Sequence, residues 1–423
     1  MRIAMRGWIT TAVVCAVLAM VSAAGASGKR PADKPASTCA TPDVTTPRDP
    51  SNPLALPTPP RAGQPLAGAH FFVDGPRHGQ AAGAIAQMLG LNPMSFPDNY
   101  SWAQFREAYG TRFNSTDLSL AKIAEQEETQ NISLYAQGGG PGAIFAQTRK
   151  ILCDNAAADP TPATVPVLST FFIYPHGQFC PTLSALRRWQ GTFKRDVNEM
   201  ASAVGSKRAV IFEEIDSIGT SSCLKKKTLK LWLHDLSWES HAFSQLPHAV
   251  VYQEAGYSDA QGSRWTANRL WQAGVDQVEG FYTNGTHFAW SSNEIKWAEK
   301  IVAMLGRKSR GRYRAHFVVN TAQNGHGPKL NPHPVKQGIE NLCNPPGRGL
   351  GRMPTGDVNP TVDGYTFGGL DGFMWTGVPG RSHNSSCPEG PWQPAGVFDP
   401  RFALELAQNA NQQLGPGYPS EPY

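Results

Sequence analysis

From residue 64 to residue 411, short apolar runs alternate with stretches in which apolar side chains recur at every third or fourth position. The runs at 70–74, 132–135, 165–174, 209–214, 249–254, 278–284, 315–320 and 372–375 lack the polar–apolar alternation of a half-exposed strand. They read as strands buried on both faces, as in a parallel sheet. Between them, Trp189, Phe193, Val197, Met200 and Val204 lie at helical spacing. Ile295, Ala298, Val302 and Leu305 do the same, with Ser291 and Glu294 spaced as a capping box and Gly306 placed as a stop. About eight strand–helix units in series predict an α/β fold, a parallel β/α barrel of the TIM-like kind. An open doubly wound sheet is the competing architecture, but no Gly-rich phosphate fingerprint follows any run.

Polar residues fall where several runs end: Asp74, Tyr174, Glu214 with Asp216, Glu254, Asn284 and Asn320. In parallel barrels the C-terminal strand ends form the active-site face. Each such residue alone can be a turn former; their succession marks a functional rim. The sharpest stretch is 209–217, in which carboxylates 214 and 216 share one side of an extended backbone just past an apolar strand. Crowded carboxyls raise one another's pKa and create a general acid. The competing role for Asp216 is to cap a following helix.

The ends of the chain change the picture little. Residues 1–26 have the form of a secretory signal: Arg2 and Arg6, an apolar stretch from Trp8 to Val21, and Ala24-Gly25-Ala26 as cleavage site. That stretch is shorter than the roughly 20 residues of a transmembrane span, so a secreted, extracellular protein free of the membrane after cleavage is expected, with an uncleaved anchor as the alternative. Residues 27–64 form a Pro-rich lead-in, and 65–423 read as one catalytic-sized domain. Leaving aside Cys15 in the signal, six cysteines remain, an even number that suits disulfides in an exported chain and allows about 15 connectivities. No tight His/Cys cluster points to a metal, and no cofactor motif is present.

Charged residues make up 17% of the chain, below the roughly 25% of ordinary soluble domains. The net charge of +5 has no block beyond Lys225, Lys226 and Lys227, which argues against nucleic acid as a partner. A neutral polymer or a small polar ligand fits better, bound by a monomer.

The stretch Glu214-Ile215-Asp216-Ser217-Ile218 resembles the Glu-Pro-Asp-x-Leu of glycoside hydrolase family 6, the inverting endoglucanases and cellobiohydrolases that cut β-1,4-glucan. Other segments resemble that family in order: 64–74, 123–126, Glu254-Ala255-Gly256, Phe281-Tyr282-Thr283-Asn284, 320–325, 343–351, Asp371-x-Phe373-x-Trp375 and 403–410. The resemblance spans roughly four fifths of the chain. It implies a distorted seven-stranded barrel, Asp216 as proton donor and Tyr174 as the ring beside the distorted sugar. It also implies bridges Cys180–Cys223 and Cys343–Cys387, leaving Cys39 and Cys153 available for a third. On this reading Glu214 modulates the acid, while Glu254, Asn284 and Trp375 hold neighbouring sugars of a β-glucan polysaccharide or oligosaccharide.

The departures lie at the chemistry. Phe179 stands where the family has the Asp that tunes the donor. After Trp375, Gly377 replaces a Lys, Arg381 a Glu, and His383 the Asp that is the usual candidate base. Tyr257, Leu342 and Gln323 replace sugar-gripping His, Trp and Arg. A neutral imidazole can activate water, so His383 is either the base or an exposed loop histidine. Two functions follow: a secreted inverting glycosidase of the glucanase or cellulase type, active in polysaccharide degradation, or a non-catalytic barrel that binds glycan. Asn284-Gly285-Thr286 is also an N-glycosylation sequon.

Overall fold

The computed structural model describes residue 39 and residues 41–132, 139–159, 161, 163–329, 344–359, 361–362, 365–366, 368–382 and 396–418. The signal-like segment 1–26, Leu342, Cys343, His383 and Cys387 lie outside them. Among the described residues no helix is long and apolar enough to cross a membrane.

The core is a seven-stranded, wholly parallel sheet. Its strands are β2 (Gln130–Asn131), β4 (Val167–Ser169), β5 (Ala209–Glu213), β6 (Ala249–Glu254), β7 (Gly280–Thr283), β8 (His316–Asn320) and β9 (Leu370–Met374). They follow one another across the sheet in chain order. Helices Leu183–Val204, Lys226–Ser244, Ser263–Gln272 and Ser291–Lys308 connect successive strands from β4 to β8. The sheet curls into a half-barrel of seven strands rather than eight. The run at 70–74 supplies only β1 (His70–Phe71), which pairs with β3 (Thr164–Val165) outside the large sheet. Pro166, lacking an N–H, separates β3 from β4 and splits what the apolar pattern reads as one long strand. At the open seam the Thr129 hydroxyl donates to the Trp375 carbonyl at 2.5 Å.

Unbroken apolar runs are explained by two cores. Val210 and Phe212, Val250 and Tyr252, Tyr282, Val318 and Met374 form one buried cluster inside the curl. Their neighbours Ala209, Ile211, Val251, Phe281, Phe317, Val319 and Phe373 belong to another, shared with the helices. Successive strand residues point to opposite faces, and here both faces are dry. The helix positions Trp189, Phe193, Val197, Met200 and Val204 are all buried in the outer cluster, as their spacing predicts. At Ser291 the expected capping box does not form. Ser291 is already helical, Trp290 holds the N-cap position, and Glu294 accepts instead from the amide of Ser258 at 2.9 Å. Gly306 does not stop that helix, which runs on to Lys308.

The Pro-rich lead-in is tied to the barrel from Cys39 onward. Cys39 is bridged to Cys153, the amide of Thr41 donates to Leu152, and Leu54 and Leu56 are buried. Cys180 is bridged to Cys223.

Candidate active site

Beyond β5 the chain makes a strained turn. Glu214 (φ 46°) and Asp216 (φ 66°) both sit in the left-handed region, which costs a non-glycine residue about 1–2 kcal/mol. Such strain persists only where the surroundings over-determine it, and here each residue is pinned. The Glu214 carboxylate accepts the amides of Phe172 (2.8 Å) and Ile173 (3.1 Å), and its own amide donates to the Thr170 hydroxyl. The backbone between the two acids is therefore not extended. Glu214 is turned away into the protein interior, while Asp216 faces a cleft.

That cleft, of about 270 Å³, lies at the C-terminal strand ends. Its lining includes Asp216, Ile215, Thr286 and Gln323, aromatic surface from Phe171 and Phe179, and Thr376, Gly377 and Arg381. Among the described residues, Asp216 is the only carboxyl lining it. Burial lifts the Asp216 pKa above the usual carboxylate range, against the Thr286 hydrogen bond and the His287 charge, which pull it down. A raised carboxyl beside a cleft is the physical requirement for a general acid.

Asp216 is held by a chain of contacts of which the resemblance points only to Tyr257, at a sugar-gripping His position. Thr286 donates to Asp216 Oδ1 at 3.0 Å, leaving its own oxygen to accept from the Tyr257 hydroxyl, also 3.0 Å away. The Tyr257 ring stacks on His287 with centroids 3.5 Å apart, and His287 Nδ1 pairs with Asp259 at 3.0 Å. The only sequence trace of Thr286 is its place in the sequon. Asn284 is no accessible glycosylation site, because it is fully buried and its amide group bonds both ways with Ala289 and to the Asn320 carbonyl.

Glu254 lies beneath the turn, not in the cleft. Its Oε2 accepts the amides of Ile218 (2.7 Å) and Gly219 (2.9 Å), and burial pushes its pKa up to about 8. Tyr174 is fully buried, donates to the Ile215 carbonyl at 2.9 Å and stacks on Phe171 at 4.1 Å. The aromatic surface in the cleft thus belongs to Phe171 and Phe179, with Tyr174 behind them. Trp375 is likewise fully buried, with its indole N–H on the Arg352 carbonyl at 3.2 Å. Asn320 does line the cleft, and its side-chain Oδ1 accepts from the Thr376 amide. The structure therefore brings Asp216, Asn320, Phe179, Gln323, Gly377 and Arg381 together, and places Glu214, Glu254, Asn284, Tyr174 and Trp375 in the layer that supports them.

A curled parallel sheet that presents an acid, amides and aromatic rings at its C-terminal rim defines an α/β barrel with a polar, aromatic-lined cleft where such barrels carry their active sites. The particular family follows from comparison. Residues 190–410 match the profile of Glycosyl hydrolases family 6, and the chain belongs to that family. It is 30% identical over 291 residues to Endoglucanase 1 of Streptomyces sp. (strain KSM-9), covering 68% of this chain and 73% of that protein. Endoglucanase 1 of Streptomyces halstedii is 27% identical over 244 residues, covering 57% of this chain and 68% of the relative. Among solved structures, the fold matches the endoglucanase Cel6 from Mycobacterium tuberculosis in complex with methyl-cellobiosyl-4-deoxy-4-thio-β-D-cellobioside. The TM-score is 0.61 at 23% identity, over 82% of this chain and 99% of that one. Cellobiohydrolase II (Cel6A) from Humicola insolens gives 0.57 at 15% identity, over 82% and 99%. The protein is a glycosidase of the cellulase type.

Proposed function

We propose that the protein is an exported enzyme that hydrolyses β-1,4-glucan with inversion at the anomeric carbon, Asp216 acting as general acid. The observation that carries this reading is the position of Asp216: the sole described carboxyl of the cleft, held by Thr286 and kept protonated to higher pH by burial. Asp216 protonates the glycosidic oxygen as the bond to C1 breaks, and water attacks from the opposite face of the sugar. His383, at the family's base position, is the group assigned to take the proton from that water. Sugar contact is assigned to Phe171, Phe179, Asn320 and Gln323. Glu214, Glu254, Asn284, Tyr174 and Trp375 position the turn and the cleft walls from behind. Export is supported by the signal-like N-terminus and by two disulfides, which persist in oxidising surroundings.

Proton NMR of a soluble β-1,4-oligosaccharide during the first minutes of hydrolysis tests the stereochemistry. Inversion delivers the α-anomer first, and initial appearance of the β-anomer would overturn it.

A second reading has its own observation. Phe179, Gly377 and Arg381 line the cleft at positions where the family carries Asp, Lys and Glu. A barrel that binds glycan without cutting it would bind oligosaccharide and release no reducing ends.

A further inference from the structure

Composition shows only a short lysine run, but the fold enlarges it. The disulfide Cys180–Cys223 lines a groove of about 630 Å³, together with Thr182, Lys225, Lys226 and Lys227. A second depression of about 320 Å³ shares Leu183 and Lys227 with the first and adds Arg187, Lys230 and His234. The two form one furrow along the helices Leu183–Val204 and Lys226–Ser244. Arg187, Lys225, Lys226, Lys227 and Lys230 are all exposed, and none makes an ion pair among the described residues. Among the described residues, no Asp or Glu lines either depression. The first turn of the helix Lys226–Ser244 contains no acid to offset its lysines, although cations there oppose the helix dipole. Five like charges are thus gathered at a cost that nothing described within the chain relieves.

We propose that this furrow binds an acidic polysaccharide, a glycan whose sugars carry carboxylates. Charge complementarity calls for a polyanion. Continuity selects a glycan: Phe179 lines the cleft, and the next residue, Cys180, lines the furrow. A polymer leaving the cleft past Phe179 therefore runs onto the lysines. This choice of partner rests on the glycan reading of the cleft, but not on catalysis. The furrow anchors the enzyme to a matrix in which neutral β-glucan and acidic chains lie together, while the cleft takes the neutral chain.

Affinity electrophoresis of the full chain in gels containing polygalacturonate tests the proposal, beside the triple variant Lys225→Glu/Lys227→Glu/Lys230→Glu. These side chains are exposed, and Lys227 lies in the first helical turn, where Glu is favourable, so the variant keeps the fold. The wild type is expected to be retarded, less so as salt rises, and the variant to bind about tenfold more weakly or worse. Both are expected to cleave neutral hydroxyethyl cellulose at equal rates. The proposal is overturned if the wild type runs unretarded, if the variant is retarded equally, or if duplex DNA or phosphatidylserine vesicles bind as tightly as polygalacturonate. Hydroxyethyl cellulose reports on the cleft and polygalacturonate on the furrow, so the two readings fail separately.

Discussion

The Thr286 hydroxyl donates to Asp216 Oδ1 across 3.0 Å, joining the loop after β7 to the strained turn after β5. The bond does two things. It fixes the direction of the carboxyl, and it favours the ionised form, in opposition to burial.

Replacing Thr286→Val keeps the shape of the side chain and removes the hydroxyl. The Asp216 pKa then rises further, so the basic limb of the kcat/KM profile moves to higher pH. Loss of orientation lowers kcat roughly tenfold, the value of one charge-assisted hydrogen bond. A pH–rate profile with unchanged limb and height would show that Thr286 does not hold the acid.

If His383 takes the proton from water, it must be neutral to act, and activity rises with pH through its titration, about 6.5 for an unperturbed imidazole. His383→Ala should abolish that acidic limb. A variant with the full wild-type profile would remove His383 from the mechanism.

Glu127 and Glu254 are fully buried, and burial pushes both from an ordinary 4.5 up to about 8. As pH rises past the ordinary value the unfolded chain ionises these groups first, and the folded chain does not follow until about pH 8. Their contribution to stability is whole at low pH and is lost across that window. Thermal unfolding should therefore occur several degrees higher at about pH 5 than at about pH 8, with a shallower slope in Glu254→Gln. A melting temperature that is flat or rises over this range contradicts the assignment.

Trp375 and Phe179 are expected to separate structural from sugar-contacting aromatics. Trp375→Ala should cost about 3–5 kcal/mol of stability, and Trp375→Phe less, with KM within about twofold of wild type. Phe179, 48% exposed in the cleft, should behave oppositely. Phe179→Ala leaves the melting temperature in place and raises KM about two- to tenfold, the worth of an aromatic contact, at unchanged kcat. Equilibrium melts and initial rates on a soluble β-glucan check both, and a reversed pattern would exchange the two roles.

Much of the barrel was legible because its physical signal is local. Apolar runs without alternation mark strands with two buried faces, and the split of Val210 and Phe212 from Ala209 and Ile211 into separate cores shows why alternation was missing. The β3–β4 break follows from one proline. The directions of side chains were not legible. Glu214 and Asp216 are two residues apart, which on an extended backbone places them together, but two positive φ angles send one inward and one to the cleft. Glu254, Asn284 and Trp375 likewise have the right types at strand ends, yet amides and carbonyls of neighbouring loops take up their polar atoms. Thr286 went unread because its partner lies 70 residues away. The basic furrow was hidden for the same reason, Arg187 being remote in sequence from the lysine run.

The most direct measurement of the central claim is reducing-sugar release from soluble β-1,4-glucan by wild type and Asp216→Asn, with binding of a cello-oligosaccharide measured on both. Asparagine preserves the size of the side chain and removes its transferable proton. The account predicts steady release by the wild type, a loss of at least about a hundredfold in the variant, and similar oligosaccharide affinity for the two. Equal rates, or equal silence with oligosaccharide still bound, would contradict it.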